Sequence, residues 1–313
     1  MLETGSILSS IITVVGVYAC VQYLYDNLKS PLEILYDLCF RRKQHFCKRY
    51  GEWAVITGSS DGIGKEYAKN IAGKGMNIML LSRTASKMSA LAEEIRTKHR
   101  VEVKWMAVDF AEGPSVYDEI RPELENLDIG MLVNNVGIIH ENPLTLDELS
   151  QQDLEQNVSV NVCPTIRLTH MVLPGMKRRR RGIVVNITSA SGYIPIPYIQ
   201  LYAASKAYLN SLTISLQQEL RGTGVECQLV TPMMVDTNLN RQWQSLNFWR
   251  LITVDVERYA RMAVWTIGKV EVTTGYWYHA LQLTLLRIPP RWTLPVCKGI
   301  FLRYLRGNVF ANK

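Results

Sequence analysis

Tyr202 and Lys206 stand four residues apart in Gln200 to Leu220, a stretch whose apolar spacing predicts a helix, so both side chains fall on one face. A phenol of ordinary pKa about 10 is a poor acid or base near neutrality, and a fixed ammonium beside it favours its ionised form. At about 4 Å and intermediate dielectric that attraction is roughly 4 kcal/mol before desolvation. This is enough to move the pKa by about one to three units. Ser189 follows the apolar run Ile183 to Thr188. A hydroxyl at the carboxyl edge of a sheet can hydrogen-bond a substrate carbonyl, because open α/β folds bind ligands there. Together the three residues suit proton transfer at a carbonyl or alcohol oxygen. Tyr-x-x-x-Lys pairs also arise by chance on many helices, so the weight rests on what accompanies them.

The companion lies upstream, where Thr57 to Gly64 reads TGSSDGIG directly after the apolar run Trp53 to Ile56. Gly58, Gly62 and Gly64 let the backbone turn tightly against a pyrophosphate, with Ser59, Ser60, Asp61 and Ile63 between them. The first amides of the following helix offer unpaired donors and a partial positive charge. The spacing is G-x3-G-x-G, not the commoner G-x-G-x-x-G. Apolar runs near 53–57, 76–82, 102–108, 129–133, 182–188 and 225–230 alternate with helical stretches. This alternation predicts an α/β fold, a Rossmann-type doubly wound parallel sheet in a single domain. After the second strand comes Ser82-Arg83, where an acidic residue would accept hydrogen bonds from an unphosphorylated ribose. Arg83 instead offers a cation to a 2′-phosphate, which favours NADPH.

TGSSDGIG, Asn134-Asn135-Val136-Gly137, Asn161, Ser189 and Tyr202-Ala-Ala-Ser-Lys206 occur in the order and spacing of the short-chain dehydrogenase/reductase superfamily, which the chain resembles over about residues 50–280. The strings GEWAVITGSSDGIGK, LVNNVG and VLPGMKRRRRGIVVNITS are similar to those of the membrane-bound 17β-hydroxysteroid dehydrogenase and very-long-chain 3-oxoacyl-CoA reductase group. The resemblance implies that Tyr202 donates a proton to a ketone and Ser189 positions the ketone oxygen. Lys206 would lower the tyrosine pKa and hold the nicotinamide ribose, and Asn161 would support a water-linked proton relay to Lys206. Asp109 would meet the adenine; Asn135, Val136, Gly137, Pro232, Val235 and Thr237 would line the rest of the cofactor site. The usual Pro-Gly after the sixth strand is here Pro232-Met233, a departure beside the carboxamide pocket. A nearby branch, the hydroxysteroid dehydrogenase-like proteins, includes inactive members whose catalytic tyrosine is replaced; here Tyr202 is present. The family often pairs helices into homodimers.

With 313 residues, 47% of them hydrophobic, the chain can bury a large core and still leave apolar surplus at its ends. Ile7 to Tyr25 carries no charge over 19 residues, close to the about 20 that cross a bilayer core, although Ser9, Ser10, Thr13 and Gln22 interrupt it. Glu3 ahead of this run, and Tyr23-Leu24-Tyr25 at its end, argue for a retained transmembrane anchor and against a cleaved signal peptide. Lys29, Arg41, Arg42, Lys43, Lys48 and Arg49 then place the catalytic domain in the cytosol, at the endoplasmic reticulum by resemblance. The expected division is an anchor over 1–28, a basic juxtamembrane segment over 29–50, the dehydrogenase domain over 51–275 and a membrane-interfacial extension over 276–313. In that extension Tyr276, Trp277, Tyr278 and Trp292 alternate with Arg287, Arg291, Lys298 and Arg303, and Pro289-Pro290 and Pro295 rule out one continuous span. A buried packing segment is an equal alternative.

Cys20, Cys39, Cys47, Cys163, Cys227 and Cys297 show no disulfide spacing, and Cys39, His45 and Cys47 make no zinc pattern, so no metal is expected. Two glycosylation sequons, at Asn157 and Asn186, fall inside predicted core elements. Lys177 to Arg181 are five consecutive cations at a helix-to-strand turn. They and the net charge of +7 suit a solvated or lipid-facing patch better than a nucleic-acid site. Met233 to about Thr253, with Trp243, Phe248 and Trp249, is the expected substrate lid. Its aromatics imply a lipophilic substrate; a 17-ketosteroid, a long-chain 3-oxoacyl-CoA and a retinoid would all fit, and no residue of the lid chooses between them. A cofactor-binding scaffold without turnover would need the glycines and not Tyr202.

Overall fold

The computed structural model describes residues 7, 9–25, 45–140, 142–243, 249–287 and 293–306, in two compact units, Met1–Arg42 and Lys43–Lys313. Within the first unit, residues 9–25 form a helix, α1, whose side chains are all exposed. At 1.5 Å per residue it reaches about 26 Å, short of the about 30 Å of a hydrocarbon core, and its hydroxyl and amide side chains dilute its apolar character. Among the described residues no helix is long and apolar enough to cross a membrane, which corrects the expected transmembrane span. Glu3, Lys29 and Arg41 to Lys43 of that expectation lie outside the described residues.

The second unit carries a seven-stranded parallel sheet in the order β3-β2-β1-β4-β5-β6-β7. The strands are β1 Trp53–Thr57, β2 Asn77–Ser82, β3 Val103–Ala107, β4 Ile129–Asn134, β5 Gly182–Ile187, β6 Val225–Val230 and β7 Val272–Thr273. Strands 1, 4 and 5 are buried along their whole length, so they read as continuous apolar runs with no alternation. β7 has only two residues and left no such run. The helices are α2 Phe46–Tyr50, α3 Gly62–Ala72, α4 Ala85–His99, α5 Val116–Glu125, α6 Gln151–Asn161, α7 Cys163–Arg179, α8 Gln200–Glu219, α9 Trp249–Ile252, α10 Val256–Trp265, α11 Trp277–Arg287 and α12 Thr293–Leu305.

Successive strand residues point to opposite faces, and each face has its own core. Ala54, Ile56, Ile78, Leu80 and Val133 pack against α3, α4 and α10 through Tyr67, Ile71, Leu91 and Tyr259. Val55, Met79, Leu81, Leu132 and Val184 pack against α5 and α7 through Ile120, Leu168, Val172 and Met176. α2 lies within the stretch expected to be juxtamembrane, yet its Phe46 and Tyr50 are buried in the first core. Its Arg49 pairs with Glu226 on β6 at 2.5 Å.

β1 has β2 on one side and β4 on the other, so the chain winds outward in both directions from this pair. The crevice beyond the carboxyl ends of β1 and β4 is where such a sheet binds ligands. The glycine turn leaves β1 and Asn135-Val136-Gly137 leaves β4, so both predicted segments meet there.

Candidate active site

The turn after β1 is closed by contacts that only glycine allows. Gly58 has φ +62°, and a Cβ there would stand 2.9 Å from the Val136 Cα; one on Gly64 would strike the Gly58 carbonyl. Asn135 ties the two segments together, its Nδ2 donating to the Thr57 and Gly58 carbonyls at 3.0 and 3.1 Å. Asp61 caps α3, accepting from the Gly62 amide at 2.7 Å. Burial pushes its carboxyl up, but that amide, Lys87 and Asn238 outweigh burial and hold it below the usual range.

A cavity of about 390 Å³ opens here, lined by Gly58, Ser60, Asp61, Gly62, Arg83, Lys87 and Asp109, and by Asn135 to Ile138. Its shape and donor set fit a phosphorylated dinucleotide: a glycine cradle at a helix N-terminus for the pyrophosphate, and two cations beside β2 for a ribose phosphate. The Arg83 side chain is 68% exposed and only 4.0 Å from Asp109, so its guanidinium is free to turn toward an anion. Lys87, on α4, reaches Asp61 at 3.2 Å and is a second cation that no sequence motif marked. Asp109 caps the next turn, accepting from the Ala111 amide at 3.0 Å. Of the residues expected at the cofactor, Ser59 and Gly64 line neither this cavity nor the one beside it: Ser59 is fully buried, and Gly64 serves the close approach to Gly58.

A second cavity, of about 640 Å³, adjoins the first and shares Ile63, Asn135, Gly137, Thr237 and Leu239 with it. Ser189, Tyr202 and Lys206 all line it, with Pro232, Met233, Met234 and Val235. Ser189 follows β5 and caps the short 3-10 turn Ala190–Tyr193, its Oγ accepting from the Ser191 amide at 3.1 Å. Its hydroxyl and the Tyr202 phenol line the same cavity. Tyr202 and Lys206 stand one turn apart on α8, with the Lys206 Nζ 5.5 Å from the Tyr202 ring centroid.

The pKa pattern differs from the expected one. Burial pushes the Tyr202 phenol up to about 12, with the Ser189 hydroxyl pulling the other way. Burial pushes the Lys206 ammonium down to about 8. In both groups burial is the dominant cause, because loss of water disfavours the charged form of each. Tyr202 is therefore a protonated donor at neutral pH.

Asn161 ends α6 and brackets the backbone of one residue, Ile138. Its Oδ1 accepts from the Ile138 amide at 2.7 Å, and its Nδ2 donates to the Ile138 carbonyl at 3.0 Å. A Cβ on Gly137 would lie 3.2 Å from Asn161 Oδ1 and 3.3 Å from Lys206 Nζ, so the glycine is what lets the two approach. Asn210, which sequence reading missed, lies one turn beyond Lys206 on the same face of α8. It accepts from the Thr188 hydroxyl at 2.6 Å and so ties the end of β5, and with it Ser189, to the helix that carries Tyr202.

Beyond the catalytic residues the second cavity is walled by Ile194, Ile196, Ile199 and Leu239, and by Tyr278, Leu283, Leu286 and Leu302 of α11 and α12. The expected lid contributes Met233, Met234, Leu239, Asn240 and Ile252; Phe248 lies outside the described residues. The extension expected at a membrane interface therefore also forms a wall of this cavity. His279 of α11 is fully buried and takes the Met233 amide on Nδ1 at 3.3 Å, with its Nε2 3.2 Å from the Met234 carbonyl.

Elsewhere, the five-cation run is partly neutralised: Arg179 and Arg181 each reach Asp128 at 2.7 Å. Asn157 and Asn186 of the two sequons are buried. The five described cysteines are thiols, and no cluster of metal ligands occurs among the described residues; Cys39 lies outside them.

The short chain dehydrogenase model matches residues 52–247, a span that includes the glycine turn, Asn161, Ser189, Tyr202 and Lys206. The chain belongs to the short-chain dehydrogenase family. It is 38% identical to the very-long-chain 3-oxoacyl-CoA reductase of Mus musculus, over 82% of this chain and 83% of that protein. It is 37% identical to the inactive hydroxysteroid dehydrogenase-like protein 1 of Homo sapiens, over 84% and 80%. Among solved family structures, a short-chain dehydrogenase from Sphingobium yanoikuyae in complex with NADPH superposes with a TM-score of 0.67 at 26% identity, covering 75% of this chain and 92% of that one.

Proposed function

We propose that this short-chain dehydrogenase is an NADPH-dependent reductase of a lipophilic ketone, a 17-ketosteroid or a long-chain 3-oxoacyl-CoA. The observation that carries the reading is the convergence of Ser189, Tyr202 and Lys206 at the junction of a glycine-cradled anion site and a large apolar cavity. Gly58, Gly62 and the first amides of α3 would hold the pyrophosphate, Arg83 and Lys87 the 2′-phosphate, and Lys206 the nicotinamide ribose. When bound, the cofactor supplies the hydride.

The remaining work falls to the chain. Ser189 and Tyr202 both present hydroxyls to the cavity, so both can hydrogen-bond the ketone oxygen. As charge develops on that oxygen, Tyr202 delivers the proton and Lys206, still cationic below about pH 8, stabilises the phenolate left behind. Asn210 and Asn161 hold Ser189 and the Gly137–Ile138 backbone in place. The isoleucine and leucine walls exclude water and favour an apolar ketone.

A membrane setting, at the endoplasmic reticulum with the second unit in the cytosol, belongs to the same proposal. It is supported by the exposed aliphatic surface of α1 and by the exposed Trp277, Leu281, Val296 and Ile300 of α11 and α12. A second reading, a cofactor-binding protein without turnover, draws on relatives named inactive. The deciding experiment is NADPH oxidation by detergent-solubilised protein with estrone, androstenedione and a long-chain 3-oxoacyl-CoA, beside Tyr202→Phe. Turnover reduced by about 10²- to 10⁴-fold in that variant, with NADPH binding kept, is expected of a general acid. Tight NADPH binding with no turnover of these or a wider range of lipophilic ketones would favour the second reading.

A further inference from the structure

The larger cavity holds two cations and no acid. Lys206 is accounted for by the catalytic group. The other is Lys298, on α12, which lines the cavity together with Leu286, Leu302 and Ile196. No aspartate or glutamate lines the cavity among the described residues, and Lys298 forms no ion pair or hydrogen bond there. Lys298 is half-buried, so the apolar wall costs its ammonium part of its hydration, which an anionic partner would restore. Burial pushes its pKa down, in keeping with that cost. An arginine pairs readily with carboxylates at a surface, whereas a lysine is a compact charge that a single oxyanion can satisfy.

α12 is also fixed in place against the segment that follows Ser189. A Cβ on Gly299 would be 3.4 Å from Pro197, Arg303 donates to the Tyr198 hydroxyl at 3.3 Å, and Arg306 pairs with Glu148. Lys298 thus sits on a helix held by Arg303 near its end and by Arg306 just beyond it. Two further polar atoms of cavity-lining residues, Ser191 Oγ and Gln282 Oε1, are buried and without a partner among the described residues. The cavity therefore has polar capacity beyond the catalytic hydroxyls, and its net charge is positive.

We propose that Lys298 is a specificity-determining residue that binds an oxyanion carried by the lipophilic ketone substrate, so that the site selects amphipathic anionic ketones over neutral ones. This rests on the reductase reading for the identity of the site, but the charge argument concerns binding alone. The oxyanion has two sources, a phosphate of a coenzyme A thioester or the sulfate or carboxylate of a conjugated steroid.

The test compares charged and neutral partners in matched pairs, using the full-length chain saturated with NADPH or NADP+. The pairs are 3-oxododecanoyl-CoA against its N-acetylcysteamine thioester, and estrone 3-sulfate against estrone. Lys298→Met is expected to raise KM for a charged partner by about ten-fold or more while leaving kcat and the neutral partner unchanged, as loss of a charge-assisted bond would. Lys298→Arg should keep most of the discrimination. Loss confined to the thioester assigns the anion to a phosphate; loss confined to the sulfate assigns it to a conjugated steroid. Equal loss on charged and neutral partners, or none on either, overturns the proposal. Equilibrium binding of unreactive dodecanoyl-CoA to wild type, Lys298→Met and Tyr202→Phe separates the two readings. If no ketone turns over but Lys298→Met still weakens dodecanoyl-CoA binding, the reductase reading fails and the Lys298 site stands. If all three bind it equally, the Lys298 site fails alone. Unchanged NADPH affinity in Lys298→Met shows that the fold and the neighbouring site are intact.

Discussion

Tyr202 shows what burial does to a single ionisable residue. A phenol held near pKa 12 stays protonated across the physiological range, and that is the form a ketone reductase needs. Arg83 sets a second choice, that of cofactor. With its guanidinium largely exposed and Asp109 at the limit of ion-pair distance, it has a charge to give a 2′-phosphate. Replacing it with alanine removes one charge-assisted contact worth about 1.5–3 kcal/mol, which is roughly ten- to a hundred-fold in affinity. Fluorescence titration of Arg83→Ala should show that weakening for NADPH and little change for NADH. Equal weakening of both cofactors would mean that Arg83 serves the fold, not the phosphate. Lys87, nearby, should retain part of the preference.

At the scale of elements, α11 replaces a local device with a distant one. The Pro232-Met233 departure puts a methionine where the family usually has glycine, and the backbone there is held instead by His279, 46 residues on. The histidine accepts from the Met233 amide on Nδ1 and presents Nε2 to the Met234 carbonyl, an arrangement only the neutral ring can make. Burial pushes its pKa down to about 4. The unfolded chain therefore takes up a proton near pH 6.5 that the folded chain refuses until about pH 4, so stability falls as pH drops through that window. Melting curves between pH 7 and 4 should show this decline in wild type and a shallower one in His279→Leu. The variant should also lose about 1–3 kcal/mol at neutral pH for each backbone group left without its partner. Identical slopes in both proteins would remove the histidine from the account. None of this was legible in the sequence, because a contact between a loop and a helix end so far apart leaves no periodic trace. The strands were legible because burial on both faces makes them unbroken apolar runs. Asn210 was within reach, standing at i+4 from Lys206, whereas Lys298 was read as an interfacial cation because nothing local marks a cavity wall.

The whole molecule joins its chemistry to its surface at α11 and α12. These helices wall the substrate cavity with Leu283 and Leu302, while Trp277, Leu281, Val296 and Ile300 stay between 49% and 66% exposed. Leu285 does both, being exposed and lining the cavity, so the apolar surface continues into the cavity mouth. The sequence offered membrane contact and core packing as alternatives for this segment; in the structure one face packs and the other is bare. A lipophilic ketone dissolved in a bilayer could then enter without crossing water, provided the bare face rests on lipid. Exposing a leucine-sized side chain to water instead of lipid costs about 1.5–3 kcal/mol. Leu281→Glu combined with Ile300→Glu should therefore raise KM at least ten-fold for a ketone presented in phosphatidylcholine vesicles. The same variant should keep wild-type KM for a short ketone free in solution, since neither residue lines the cavity. Equal KM for vesicle-borne ketone in variant and wild type would detach the cavity mouth from the membrane. In that case the substrate arrives through water, and the anionic group that Lys298 is proposed to hold would be what keeps it soluble.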